Sequence, residues 1–288
     1  MSGASRLQRA ASSRCRLLAA RCLLLAAAAA CAHTSPEFVR GPQGRLHVDD
    51  GGRGGATPIV FVHGNGANLT QWRDALAHAR ATRRAVALDL RGMGASEPAA
   101  NGDYSVEGVS EDLGAVVDAL GLKRFILVGH SYGSHIVAAY AARHPERVAA
   151  VVHVDGGGNL KIPDEAAKKF TDALRANKDA VAAQWFKPIL ADATSATHQA
   201  VLASVHATNT DAFVGALDGI RHVDLVPLVA AYKGPRFAIF AKPLAQAGSF
   251  HVQFPQVPAR GIDGVSHWLM MDKPAEFNAI LDELLAGL

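Results

Sequence analysis

Phe125-Ile126-Leu127-Val128-Gly129-His130-Ser131-Tyr132-Gly133-Ser134-His135-Ile136-Val137-Ala138-Ala139-Tyr140 is the stretch that decides how this chain is read. An apolar run leads into the pentapeptide Gly129–Gly133, and a helical pattern continues from it to Arg143. Strand, sharp turn and helix form the context that gives a G-x-S-x-G motif its meaning. The turn strains the backbone at Ser131. Only glycine two positions before and after leaves room for strand and helix to come so close. A bare pentapeptide of this kind arises often by chance, and its bland reading is a serine in a tight turn. The flanks give this one its weight.

On either side the pattern alternates. Pro58–Val62, Arg84–Leu88, Val148–Val154 and Arg236–Ala241 are apolar runs, as strands of a parallel sheet covered on both faces require. Gly44–Val48 reads as an early edge strand that ends in a turn over Asp49–Gly55, and a short strand is expected near Val257. Residues 70–80 read as helical, Ser105 caps a helix that Gly121 stops, and Lys273-Pro274 opens a last helix. Residues 160–230 are different in kind. They are rich in Ala, Lys and Asp, with helical spacing over 164–176, 178–190 and 196–206 and no strand pattern. The expected fold is α/β: an open, mostly parallel sheet flanked by helices, with the 160–230 stretch inserted before the strand at 236–241 as a helical lid.

The 288 residues suit one such domain behind a leader. Residues 1–36 carry Arg6, Arg9, Arg14, Arg16 and Arg21 and no acid, which leaves 24 basic against 26 acidic residues in the remainder. The basic pI of 8.8 therefore belongs to the leader, and no nucleic-acid surface is expected on residues 37–288. The arginines precede Leu23–Ala30, an apolar stretch short of the ~20 residues a membrane span needs. Ala30-Cys31-Ala32 fits a small-x-small cleavage site. Ala28–Cys31 also resembles a weak lipobox without its preferred leucine, which would tether the chain to a membrane through a lipidated Cys31. The expectation is export, to the periplasm or outside the cell. An organellar transit peptide and a misplaced start codon are the competing readings. Cys15, Cys22 and Cys31 all lie in the leader, so residues 37–288 hold no disulfide and no thiolate metal site.

Four motifs stand in order along the chain: His63-Gly64-Asn65-Gly66, Asp89-Leu90-Arg91-Gly92-Met93-Gly94-Ala95-Ser96, Gly129-His130-Ser131-Tyr132-Gly133 and Ser266-His267-Trp268. On these, about residues 40–288 resemble the α/β-hydrolase fold superfamily in its lid-bearing branch. The motifs are specific for the fold and say little about substrate. The resemblance implies that Ser131 is the nucleophile and His267 its base, His251 being the rival. It implies an oxyanion hole from the backbone N–H groups of Tyr132 and Asn65, with Gly66 as the alternative second donor and the Asn65 side chain as a further aid. In most relatives the acid follows the strand written here as Phe237–Phe240. This chain has no acid between Asp224 and Asp263, so that seat is empty. Some members place the acid at the end of the preceding strand, where Asp155 stands. Asp155 is therefore the expected orienting acid, ahead of Asp263 and Asp224; its other reading is a strand cap before Gly156-Gly157-Gly158.

Asp89 and Arg91 read as architecture that fixes loops. His130 and His135 are expected to point away from the site, and His47 to lie on the surface or the lid. Trp185, Phe186, Ile189, Leu190 and Phe213 read as lid residues, most packed on the core and one or two lining an acyl pocket. No nucleotide fingerprint and no metal-ligand spacing occurs, so no cofactor is expected. The expected activity is a serine hydrolase that cleaves an ester-like bond in a small molecule through an acyl-enzyme. The alternatives are a carbon–carbon bond, amide or peptide hydrolase on the same scaffold, and a ligand-binding protein with decayed machinery.

Overall fold

The computed structural model describes residues 37–288. The leader, with the cleavage and lipidation expected at Ala32 and Cys31, lies outside the described residues. The strands are β1 (Phe38–Arg40), β2 (Arg45–Gly51), β3 (Ala56–Val62), β4 (Arg83–Leu88), β5 (Phe125–His130), β6 (Val148–Val154), β7 (Arg236–Ala241) and β8 (Ala259–Ile262). They form one sheet in the order β1-β2-β4-β3-β5-β6-β7-β8. From β4 through β8 every pairing is parallel. β1 and β2 form an antiparallel hairpin, and β2 runs antiparallel to β4.

Pairing with β4 extends β2 through Asp49, Asp50 and Gly51, where the sequence suggested a turn. Their backbone groups are taken up by the ladder, and Arg84 holds the Asp50 carboxylate at 2.8 and 2.5 Å. The edge belongs to β1 rather than β2. Pro58 sits where β3 slips register against β4, which accommodates a residue without an N–H inside the sheet.

Successive residues of β3 bury into opposite layers. Ile59 and Phe61 pack with Trp72, Leu76 and Phe277 on one face. Val60 and Val62 pack with Val109, Leu113, Ile136 and Tyr140 on the other. Each such side chain contributes roughly 1.5–3 kcal/mol by leaving water. The layers are built from α1 (Arg73–Ala79) and α11 (Pro274–Leu285) on the first face, and from α2 (Val106–Ala119) and α3 (Tyr132–Arg143) on the second. In α2 the buried Val106, Val109, Leu113, Val116 and Val117 follow helical spacing, and the Ser105 hydroxyl accepts from Gly108 N at the helix start.

Between β6 and β7 the chain inserts α4 (Asp164–Ala176), α5 (Lys178–Phe186), α6 (Ser195–Ala207), α7 (Thr210–His222) and α8 (Leu225–Ala231). The helix expected over 178–190 ends at Phe186, because Pro188 has no N–H to continue it and opens a separate 3-10 turn, Pro188–Leu190. The insertion runs two helices further than the spacing suggested, through α7 and α8. Asp224 caps α8 by accepting from Val226 N. The strand expected near Val257 starts at Ala259, after α9 (Phe250–Gln253). The short α10 (Leu269–Asp272) leads into α11. Among the described residues, no helix is long and apolar enough to cross a membrane.

The sheet register brings the strand ends together. Val62 pairs with Gly129, His130 with Val154, and Val154 with Ile239. The residues that follow β3, β5, β6 and β7 therefore emerge at one edge, at the carboxyl ends of the strands where open α/β sheets bind ligands.

Candidate active site

Ser131 sits between β5 and α3 at φ 51°, ψ −114°, a region that non-glycine residues avoid. The surrounding glycines make this turn possible. A Cβ on Gly129 would lie 2.3 Å from the Gly133 carbonyl oxygen, and one on Gly133 would lie 2.4 Å from that of Val62. Ser131 N donates to Val154 O at 3.0 Å, and Ser131 O accepts from Ser134 N at 3.0 Å, so both main-chain arms of the serine are held. Strain of this kind, about 1–3 kcal/mol, persists only where the surroundings over-determine it.

One strand over, Asp155 is the second non-glycine residue with positive φ, at 42°. Its N donates to Ile239 O at 2.7 Å, and its Oδ1 accepts from Ala241 N at 2.9 Å. Oδ2 is left facing His267, which donates from Nδ1 at 2.6 Å. This contact fixes the imidazole tautomer with its proton on Nδ1 and its lone pair on Nε2. Of the acids weighed from the sequence, Asp155 is the one that meets His267. The rivals do not: Asp263 pairs with Lys242 at 2.6 Å, and Asp224 is engaged at the α8 cap and by Asn159. His251 stacks on Phe240 with ring centroids 3.6 Å apart.

The main chain of His267 is held from two sides. Its N donates to Ile189 O of the insertion at 3.0 Å, and its O accepts from His130 Nε2 at 2.8 Å. On its flanks Ser266 donates from N and Oγ to Asp272, and Trp268 Nε1 donates to Gln71 at 3.1 Å. His130 was expected to face away. Its fully buried ring instead packs 4.6 Å from that of His267 and lines the same cavity. Burial holds it neutral, with its pKa far below the ordinary histidine value.

Gly64 comes close to the serine. A Cβ there would lie 3.0 Å from His130 Nδ1 and 3.1 Å from Ser131 Cβ. This brings the 63–66 loop beside the nucleophile turn, where the N–H of Tyr132 begins α3. His63 fixes the loop: Nδ1 donates to Gly64 O at 2.7 Å, and Nε2 accepts from Leu90 N at 3.0 Å. The Asn65 side chain is turned away from the role suggested for it. Its Nδ2 donates to Phe213 O at 2.9 Å, because α7 lies against the loop. One of the two amide N–H donors of Asn65 is thereby taken. Asp89 ties three segments, accepting from Leu69 N, Ala95 N and His47 Nδ1 at 2.6 to 2.8 Å. His47 is therefore partly buried in this network rather than a plain surface residue. Arg91 is buried on Asp112, at 2.5 Å, and on the carbonyls of Asp103 and Gly108.

Ser131, Tyr132, Asn65, Asp155 and His267 line one cavity of about 270 Å³. Trp185, Phe186 and Ile189 form part of its wall, three of the five insertion residues where the sequence suggested one or two. Leu190 and Phe213 are buried in packing instead and do not reach it. Leu217 and Ile220 of α7 do reach it, as do Leu160 and Leu244; helical spacing alone did not single these out. His135 also lines the cavity, against the expectation that it points away. A buried pair, Ser134 Oγ and His153 Nδ1 at 2.7 Å, joins α3 to β6 and had no sequence signal.

A protein-family model described as alpha/beta hydrolase fold matches residues 57–212. The 2-hydroxymuconate semialdehyde hydrolase of Pseudomonas sp. (strain CF600) is 35% identical over 117 residues, 40% of this chain and 41% of that protein. Protein ABHD8 of Bos taurus is 27% identical over 271 residues, 86% of this chain and 62% of that protein. The chain thus matches less than two thirds of the length of either relative. Among solved structures, the enol-lactonase from Burkholderia xenovorans LB400 superposes with a TM-score of 0.76 at 21% identity, over 86% of this chain and 99% of that one.

Proposed function

The chain belongs to the α/β-hydrolase fold family, and from that premise we propose that it is a serine hydrolase that cleaves an ester-like bond through an acyl-enzyme. The observation that carries this reading is the 2.6 Å contact between His267 Nδ1 and Asp155 Oδ2, at the wall of the cavity that also holds the strained Ser131. Ser131 Oγ attacks the substrate carbonyl while His267 Nε2 takes its proton. Asp155 keeps the imidazole oriented and stabilises the imidazolium that forms. The N–H groups of Tyr132 and Asn65 receive the oxyanion. Collapse expels the leaving group, protonated by His267, and water then releases the acid by the same steps in reverse order.

The small, largely apolar cavity favours a compact ester or lactone. A second reading, hydrolysis of a carbon–carbon bond, is supported by the likeness to 2-hydroxymuconate semialdehyde hydrolase. The decayed, ligand-binding reading rests on the empty acid seat, and the contact of Asp155 with His267 weighs against it. A turnover screen decides among them. Short esters or lactones hydrolysed with a burst equal to the enzyme concentration support the acyl-enzyme reading. Turnover of vinylogous β-diketones without ester turnover supports the second. No turnover of either, with wild type and Ser131→Ala retaining ligand equally, supports the third.

A further inference from the structure

His135 stands in the first turn of α3, four residues after Ser131, and shares a cavity with it. The residue is 2% exposed and lines the cavity. Neither of its ring nitrogens makes a hydrogen bond of good geometry, although the main-chain carbonyls of Ser131 and Gly158 lie near enough to the ring to interact with it. The other buried histidines among the described residues differ. His63 has both nitrogens bonded, His130 donates to His267 O, and His153 is bonded to Ser134. A buried polar atom without a good partner costs about 1–3 kcal/mol, so this ring is open to a better partner from a molecule bound in the cavity.

The surroundings say what kind of occupant. Desolvation lowers the His135 pKa to about 4, and the nearby main chain of Ser131 and Gly158 offsets only part of this. At neutral pH the ring therefore offers one N–H donor and one lone pair, and no charge. Among the described residues, no carboxylate contributes to this shift. Gly157 lies over the ring, where a Cβ would stand 3.7 Å from His135 Cε1, and Gly157 pairs with Ser249. With the acid on Asp155, the loop after β7 carries no catalytic duty, and its Leu244, Gln246 and Ser249 serve as cavity wall.

We infer that His135 is a specificity-determining residue, which recognises a neutral oxygen function (an ether, hydroxyl or ketone) set apart from the scissile carbonyl of the substrate. The inference rests on the proposed hydrolase reading, which makes the occupant a substrate. Substrates that carry such an oxygen, on either side of the scissile bond, are preferred over plain alkyl esters. A site built to hydrogen-bond such a group discriminates against an all-carbon analogue, because binding the latter leaves the ring unpaired.

The test uses three isosteric, uncleaved amides: N-butylbutanamide, its methoxyacetyl analogue and its methoxyethyl-amine analogue. Each is titrated by ligand-observed NMR into full-length Ser131→Ala, alone and combined with His135→Phe or His135→Gln. The expected result is that one of the two ethers binds about tenfold tighter than the all-carbon amide. That preference disappears with His135→Phe and is kept with His135→Gln. Equal binding of all three amides to Ser131→Ala would overturn the inference, as would a preference that survives His135→Phe. If His135→Gln is unfolded by circular dichroism, His135→Phe decides alone; if His135→Phe is unfolded, His135→Leu takes its place. Fluorophosphonate labelling of the wild type reports separately on the hydrolase reading, so the two failures are distinguishable.

Discussion

His130 Nε2 donates to the main-chain carbonyl of His267 at 2.8 Å, which ties the residue before the proposed nucleophile to the proposed base. The two lie 137 positions apart in sequence, and the bond closes the loop that carries His267 against the end of β5. His130→Leu removes the donor and frees that loop. The expected result is a fall in kcat of about 10²-fold with KM little changed, since misplacing a reacting group by an ångström costs about that much. His130→Asn keeps a donor and should recover part of the loss. Equal rates for wild type and His130→Leu would deny the residue any positioning role.

Asp155 acts on His267 from the other side. Asp155→Asn keeps the hydrogen-bonding shape but loses the charge and favours the wrong tautomer. Its kcat should fall by up to ~10⁴-fold, with the fold retained. Steady-state kinetics beside a thermal melt would check both halves. A variant as fast as wild type would remove Asp155 from the chemistry.

The elbow glycines should tolerate nothing larger. A Cβ on Gly129 meets the backbone of Gly133 rather than a movable side chain, so strand or helix must shift. Gly129→Ala should destabilise by several kcal/mol or abolish expression, at the high end of single substitutions. Gly121→Ala serves as comparison: a Cβ there meets nothing, and only its φ of +66° is unfavourable. Urea unfolding that finds the two variants equally stable would contradict the account of the turn.

Much of this was legible beforehand because the decisive signals are local. The apolar runs, the Gly129–Gly133 turn and the Ser105 cap depend on neighbours in sequence. The empty acid seat after β7 pointed to Asp155 by elimination within the family resemblance. What sequence could not reveal depends on contacts between distant segments. Asn65 turns to Phe213 only because α7 lies against its loop. His130 and His135 reach the cavity because the Ser266–Trp268 loop and the Gly156–Gly158 turn close over them. Leu217 and Ile220 share a helix with residues that pack elsewhere, and spacing alone cannot sort them.

Two buried histidines predict an acid limb in stability. Burial lowers the pKa of His135 to about 4 and of His153 to about 3, from 6.5. As pH drops below about 6.5, the unfolded chain takes up protons that the folded chain refuses. Their contribution is therefore complete above about pH 7, shrinks as pH falls through this window, and stops shrinking below the folded values. His135→Phe should flatten the limb by roughly 3 kcal/mol between about pH 7 and pH 4. Urea midpoints at several pH values would show it. An unchanged slope would mean that His135 already titrates normally in the folded chain.

Intact mass after reaction with a fluorophosphonate probe tests the central claim most directly. Wild type should gain one adduct, Ser131→Ala none, and Asp155→Asn one that forms far more slowly. An adduct on Ser131→Ala, or none on folded wild type, would contradict Ser131 as an activated nucleophile.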